Sequence, residues 1–103
     1  MINSPPTLIQ NSDASLLLAG PINFETVMSV YYQGLTLLEA HHKAVVIDLQ
    51  GVLHGDSSIL ALLSAWIRYT MTQQKQISFI NLPESLKHLI QLSGLEMVFP
   101  VKE

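Results

Sequence analysis

The chain predicts an α/β fold, a mixed β-sheet with helices packed against it in the order ββαβαβα, and three stretches predict it. Val45-Val46-Ile47-Asp48-Leu49 is an apolar run too short for a helix, the pattern of a strand covered on both faces. A loop with two glycines follows, and from Ser57 to about Thr70 apolar residues recur at helical spacing, so a strand leads directly into a helix. Near the amino end, two short strand-like runs flank Asn11-Ser12-Asp13-Ala14, whose residues carry turn chemistry, and together they read as a hairpin.

Taken in order, residues 1–6 are an extended lead-in held by Pro5-Pro6. Thr7-Leu8-Ile9-Gln10 is the first strand and residues 15–19 the second, which Gly20-Pro21 is expected to stop. Asn23 is placed to cap a helix over residues 24–40, where Val27, Val30, Tyr31, Gly34, Leu37 and Leu38 recur at helical spacing. Glu25 suits the positive end of that helix, and His41, His42 and Lys43 suit its negative end. The central strand, 45–49, is followed by the loop 50–55. Asp56 is the expected N-cap of the next helix, its carboxylate accepting from the free N–H groups of the first turn. Gln73-Gln74-Lys75-Gln76 is a polar connection to a strand at 77–80. Pro83 fits the first position of a third helix, about 84–92, with Leu86, Leu89, Ile90 and Leu92 toward one side and Gly94 as its C-cap. Residues 95–101 form an apolar tail expected to pack back on the body. Two strand–helix–strand crossovers imply parallel strands beside the hairpin. With 103 residues and no internal repeat, the expectation is a single domain over 1–103.

Composition narrows the function classes. The chain is 49% hydrophobic and only 13% charged, against roughly 25% charged in ordinary globular chains. A surface this poor in charge is more stable when part of it is covered by a partner. Five Lys and Arg in a net charge of −3 leave no electrostatic footprint for nucleic acid, and none for an anionic membrane surface. No apolar run approaches the ~20 residues of a membrane span, and the start MINSPPTLIQ lacks the pattern of a signal peptide. Zero cysteines exclude disulfide and thiolate chemistry. The expectation is a cytoplasmic domain that does not insert into the membrane.

On a helical wheel of about 100° per residue, Ile59, Leu60, Leu63, Trp66, Ile67 and Thr70 group as the core side of the central helix. Ser57, Ala61, Ser64 and Arg68 group opposite, with Ser58, Leu62, Ala65 and Tyr69 along one flank. A solvent-facing stripe ordinarily carries Lys and Glu; this one carries small side chains and a single charge, which lets another backbone approach closely. Residues 57–69 therefore read as a docking face centred on Ser57 and ending near Tyr69.

Catalytic patterns are weak by comparison. Asp48 and Asp56 are acids near strand and helix ends, but no third group converges on them. Asp56 has a sufficient role as a cap and Asp48 as a hydrogen-bond acceptor above the sheet. No nucleophile elbow surrounds Ser57. The four histidines, His41, His42, His54 and His88, form no metal-binding spacing, and no phosphate-binding glycine motif occurs. The expectation is a non-enzymatic chain with no metal and no cofactor. What remains is a hydroxyl at a helix N-terminus: a phosphate on Ser57 would meet free N–H groups but also Asp56, and would change the charge of the docking face.

The residues Val46-Ile47-Asp48-Leu49, followed by a loop and Asp56-Ser57-Ser58-Ile59-Leu60, resemble the STAS domain (sulfate transporter and anti-sigma factor antagonist). The likeness runs from Leu16-Leu17-Leu18-Ala19-Gly20 through Leu82-Pro83-Glu84-Ser85-Leu86 to Leu92-Ser93-Gly94-Leu95. Asp48-Leu49-x-Gly51-Val52, Leu60-Ala61-Leu62-Leu63, Trp66, Gln74-x-x-Ile77 and Phe79-x-Asn81-Leu82-Pro83 are most similar to the MlaB-type branch. That resemblance implies a cytoplasmic subunit, peripheral to the inner membrane of a Gram-negative bacterium. It would bind the ATPase of an Mla-type phospholipid ABC transporter, alongside a permease and a lipid-binding subunit, with ATP held by the partner. It also implies that Asp56, Ser57 and Ser58 lie at the partner surface. The alternative branch, anti-sigma factor antagonists, would use Ser57 as a phosphorylation site. Ile59 stands where the family pattern has glycine, and its branched side chain is expected to hinder a close approach there.

Overall fold

The expected hairpin forms between β1 (Thr7–Ser12) and β2 (Ser15–Ile22), paired antiparallel with Leu8 opposite Leu18 and Gln10 opposite Leu16. This computed structural model describes residues 6–12, 14–40, 43–55 and 57–102, and the side chains of residues 53–55 lie outside that description. The expectations for Asp13, His41, His42, His54 and Asp56, and for the lead-in before Pro6, fall outside it as well. After the hairpin come α1 (Val27–Ala40), β3 (Ala44–Gly55), α2 (Ser57–Thr72), β4 (Gln76–Ile80) and α3 (Glu84–Leu92). The element order is the ββαβαβα read from the sequence. The sheet runs β1-β2-β3-β4, with β2, β3 and β4 parallel.

Alternation decides where the core lies. Leu16 and Leu18 on β2, Val45, Ile47 and Leu49 on β3, and Ile77 and Phe79 on β4 are buried and share one face of the pleat. Two right-handed crossovers between parallel neighbours place α1 and α2 on that same face, running parallel to each other. α1 buries Val30, Gly34 and Leu38 there, and α2 buries Ile59, Leu63 and Trp66. Each fully buried Leu, Ile or Phe contributes about 1.5–3 kcal/mol of transfer free energy, so this one layer supplies most of the cohesion.

Several boundaries differ from expectation for physical reasons. β2 runs through Gly20-Pro21 because β1 ends level with Ala19; Pro21 lies beyond it and owes no hydrogen bond on that side. β3 continues past Leu49 to Gly55, because the longer β2 offers it a ladder partner: Gly51 pairs with Ala19, Val52 with Gly20 and Gly55 with Ile22. The pairing shifts register twice, as bulges do. Gly51 suits its place, since a Cβ there would come within 2.6 Å of the Ala19 Cβ. The regular part of α1 begins at Val27. Residues 23–26 form a tight turn in which Asn23 Oδ1 accepts from the N–H groups of Glu25 (2.9 Å) and Thr26 (3.2 Å). The Thr26 hydroxyl in turn accepts from the Asn23 N–H (3.0 Å) and donates to the Pro21 carbonyl (3.0 Å).

Helix ends account for two further features. Gly94, at φ 71°, closes α3: its N–H donates to Gln91 O (3.1 Å) and the Leu95 N–H to Ile90 O (3.1 Å). Gln74, at φ 57°, plays the same part after α2, with the Gln74 N–H on Met71 O and the Lys75 N–H on Thr70 O (2.8 Å). That turn carries Lys75 to the carboxyl end of α1, where its Nζ donates to Leu38 O (2.8 Å) and Glu39 O (3.2 Å). Among the described residues, a cation thus reaches that helix end from across the fold. The apolar tail packs back: Phe99 is buried 6.1 Å from the Phe79 ring, and β4 exchanges backbone bonds with Pro100 and Lys102.

Candidate functional site

α2 presents a solvent stripe where the wheel places one. Ser57, Ala61 and Arg68 are exposed, and Ser64 and Ala65 are half-buried. Ile59, Leu60, Leu63, Trp66 and Thr70 point inward. The flank is different. Ser58 and Leu62 are buried, with Leu62 only 2% exposed, and Tyr69 is half-buried against the core. A wheel considers a helix lying on one support, whereas α2 has two, the sheet beneath and α1 alongside. The Trp66 indole N–H reaches the Tyr31 carbonyl of α1 at 3.4 Å, which marks that seam. Ser58, Leu62 and most of Tyr69 are therefore used within the fold. Of the expected docking face, Ser57, Ala61, Ser64, Ala65 and Arg68 stay accessible to solvent.

Ile59 is 1% exposed. Its branched side chain fills the core under α2 and does not obstruct the outer stripe, contrary to the expectation from the sequence. Asp48 is buried, and its Oδ1 accepts from the Gln50 N–H (2.9 Å) and the Asn81 amide (3.1 Å). Asn81 is itself in the left-handed region, φ 56°. The carboxylate thus ties the start of the β4–α3 connection to β3.

Among the described residues no group of three or more His, Asp or Glu gathers in a way that could hold a metal ion. Among the described residues no helix is long and apolar enough to cross a membrane. An open groove of about 890 Å³ lies where the hairpin, β4 and the tail meet, with Ser15, Val46, Asn81, Lys87 and Lys102 along it. No described residue lining it is an Asp, Glu or His.

One surface feature went unread in the sequence. Phe24, Met28 and Tyr32 are all large, apolar and exposed, four residues apart on the outer side of α1 and the turn before it. The signal was present in that spacing, but the core-facing set Val27, Val30, Gly34 and Leu38 overlaps it along the chain.

Comparison with known proteins places this geometry. Residues 8–100 match the family model described as "Mlab, STAS domain". Among solved structures, the chain is similar to one in the Acinetobacter MlaFEDB complex in its ATP-bound Vtrans2 conformation. The identity is 28% and the TM-score 0.83, over 93% of this chain and 99% of that one. The Vtrans1 conformation of the same complex matches at 28% identity and TM-score 0.80, over 91% and 99%. An anti-sigma factor antagonist from Mycobacterium paratuberculosis shares the fold at 19% identity and TM-score 0.74, over 97% of this chain and 89% of that one. No curated protein matches the chain in a sequence comparison. With the family pattern covering nearly all of its length, the chain belongs to the MlaB-type STAS-domain family.

Proposed function

We propose that this chain is the cytoplasmic STAS subunit of an Mla-type phospholipid ABC transporter, non-enzymatic itself, and that it binds and stabilises or activates the transporter's ATPase. The observation that carries the reading is the full-length likeness, at 28% identity, to a chain of the MlaFEDB complex. The α2 stripe of Ser57, Ala61, Ser64, Ala65 and Arg68 supports it, because small side chains and one charge suit a lasting contact with another protein. The partner supplies the ATP site; this chain supplies a surface. In that role it is peripheral to the inner membrane and serves maintenance of outer-membrane lipid asymmetry.

The test is affinity capture of the tagged chain from detergent-solubilised membranes and, separately, from cytosol, with partners identified by mass. An ABC ATPase and a permease in the membrane fraction are expected, with both lost from Ser57→Glu and Ala61→Arg variants. Capture of a soluble kinase or anti-sigma factor with no transporter subunit would overturn the reading in favour of a phosphorylation-switched antagonist. Undiminished capture by both variants would remove the α2 stripe from the contact.

A further inference from the structure

The outer surface of α1 continues the α2 stripe, and the two make one surface. Gly34 lies against the Trp66 ring and the Tyr31 carbonyl accepts from Trp66 Nε1, which sets the two parallel helices side by side. The opposite edge of α1 is turned to β1, where Gln33 Oε1 accepts from the Leu8 N–H at 3.3 Å. The α2 side of α1 is therefore the side of Tyr31, and Met28 and Tyr32 continue it outward into solvent. From the Gly34–Trp66 register, Met28 is level with the turn holding Leu60 and Ala61, and Tyr32 with Ser64. Arg68, one turn beyond Ser64 on α2, is exposed at the far end of this surface.

Area decides what the surface needs. A stable protein–protein contact buries about 800 Å² per partner, and aromatic and Met side chains are enriched in it. The small side chains of Ser57, Ala61, Ser64 and Ala65 cannot supply that area, even with Arg68. Phe24 is 81% exposed, Met28 52% and Tyr32 59%. Aromatic residues of this kind bury on the order of 150–250 Å² each when covered. The Tyr32 ring is also braced edge-on by Tyr31, with centroids 5.2 Å apart, so less freedom is lost on docking.

We propose that Phe24, Met28 and Tyr32 are the apolar anchors of the ATPase contact, with the α2 stripe as the close-approach strip beside them. This rests on the ATPase reading above. The occupant is a folded protein surface with apolar pockets spaced to take Met28 and Tyr32 from successive turns of α1 and Phe24 from the turn before it. A Met28→Glu/Tyr32→Glu variant keeps the fold, since both positions are exposed.

The experiment titrates the purified Mla-type ATPase of the same genome onto wild type, Met28→Glu/Tyr32→Glu and Met97→Glu. Met97 is 92% exposed in the tail following α3 and controls for general loss of apolar surface. A loss of at least tenfold in affinity for the α1 variant, with Met97→Glu unchanged, is the expected result. The chain has no cysteine, so Met28→Cys adds a second readout: maleimide labelling in the free chain and protection in the complex. Wild-type affinity in the α1 variant, equal loss in Met97→Glu, or unprotected labelling would overturn the anchors while leaving the ATPase reading standing. No binding by wild type would overturn both.

Discussion

The indole of Trp66 lies directly against the backbone of Gly34, so closely that a Cβ added at Gly34 would overlap Nε1, Cε2 and Cζ2 of the ring. Trp66 is fully buried. Gly34 is therefore the space that lets the largest side chain of α2 pass between two helices. Gly34→Ala should gain helix propensity of about 1 kcal/mol but lose more to overpacking, for a net destabilisation of about 1–2 kcal/mol. Urea denaturation followed by fluorescence of this single tryptophan measures it. Gly34→Ala with Trp66→Phe should cost less than the sum of the two alone, because the smaller ring frees the space that the methyl needs; far-UV circular dichroism follows the variants that lack the tryptophan.

Two neighbouring residues on α2 should behave oppositely. Leu62 is buried, so Leu62→Ala should destabilise the fold by about 2–5 kcal/mol. Ala61 is exposed, so Ala61→Arg should leave stability within about 0.5 kcal/mol. Thermal melts of the two variants distinguish a flank used by α1 from a stripe open to a partner. Equal stability of both would show that Leu62 is not held in the seam.

Gln74 ends α2 in a left-handed conformation that glycine adopts without strain. Gln74→Gly should therefore stabilise the chain by about 0.5–1 kcal/mol, the relief of strain partly offset by greater freedom in the unfolded state. A rise in the urea midpoint at unchanged slope is the expected observation.

Lys75 reaches from the end of α2 to two carbonyls at the end of α1. Lys75→Met keeps the apolar stem and removes the charged donor, and should cost about 0.5–1.5 kcal/mol. Hydrogen exchange should show the loss first in the last turn of α1 rather than in α2.

The carboxylate of Asp48 holds the Gln50 N–H and the Asn81 amide. Asp48→Ala leaves both donors without this acceptor and should cost about 1–3 kcal/mol. Combined with Asn81→Ala, the loss should fall short of additivity by about 0.5 kcal/mol or more, as chemical denaturation of the four chains would show.

Element type and order were legible in the sequence because they depend on local periodicity: 45–49 as a strand, 57–70 as a helix, the two short amino-terminal runs as a hairpin, Gly94 as a helix stop. The outward stripe of Ser57, Ala61 and Arg68 was legible for the same reason, since one period places it opposite the core. Strand ends were not. β2 and β3 run on past Ala19 and Leu49 because each supplies the other with hydrogen-bond partners, and strand pairing is a relation between distant residues. Nor was the fate of Leu62, which one helix taken alone leaves on a flank and a second helix buries. Nor was the reach of Lys75 to the end of α1, where a left-handed turn far along the chain places it. Tertiary structure alone decided which apolar residues remain uncovered. Val30 and Met28 belong to the same helix, and the sheet and α2 lie beneath one while solvent lies over the other.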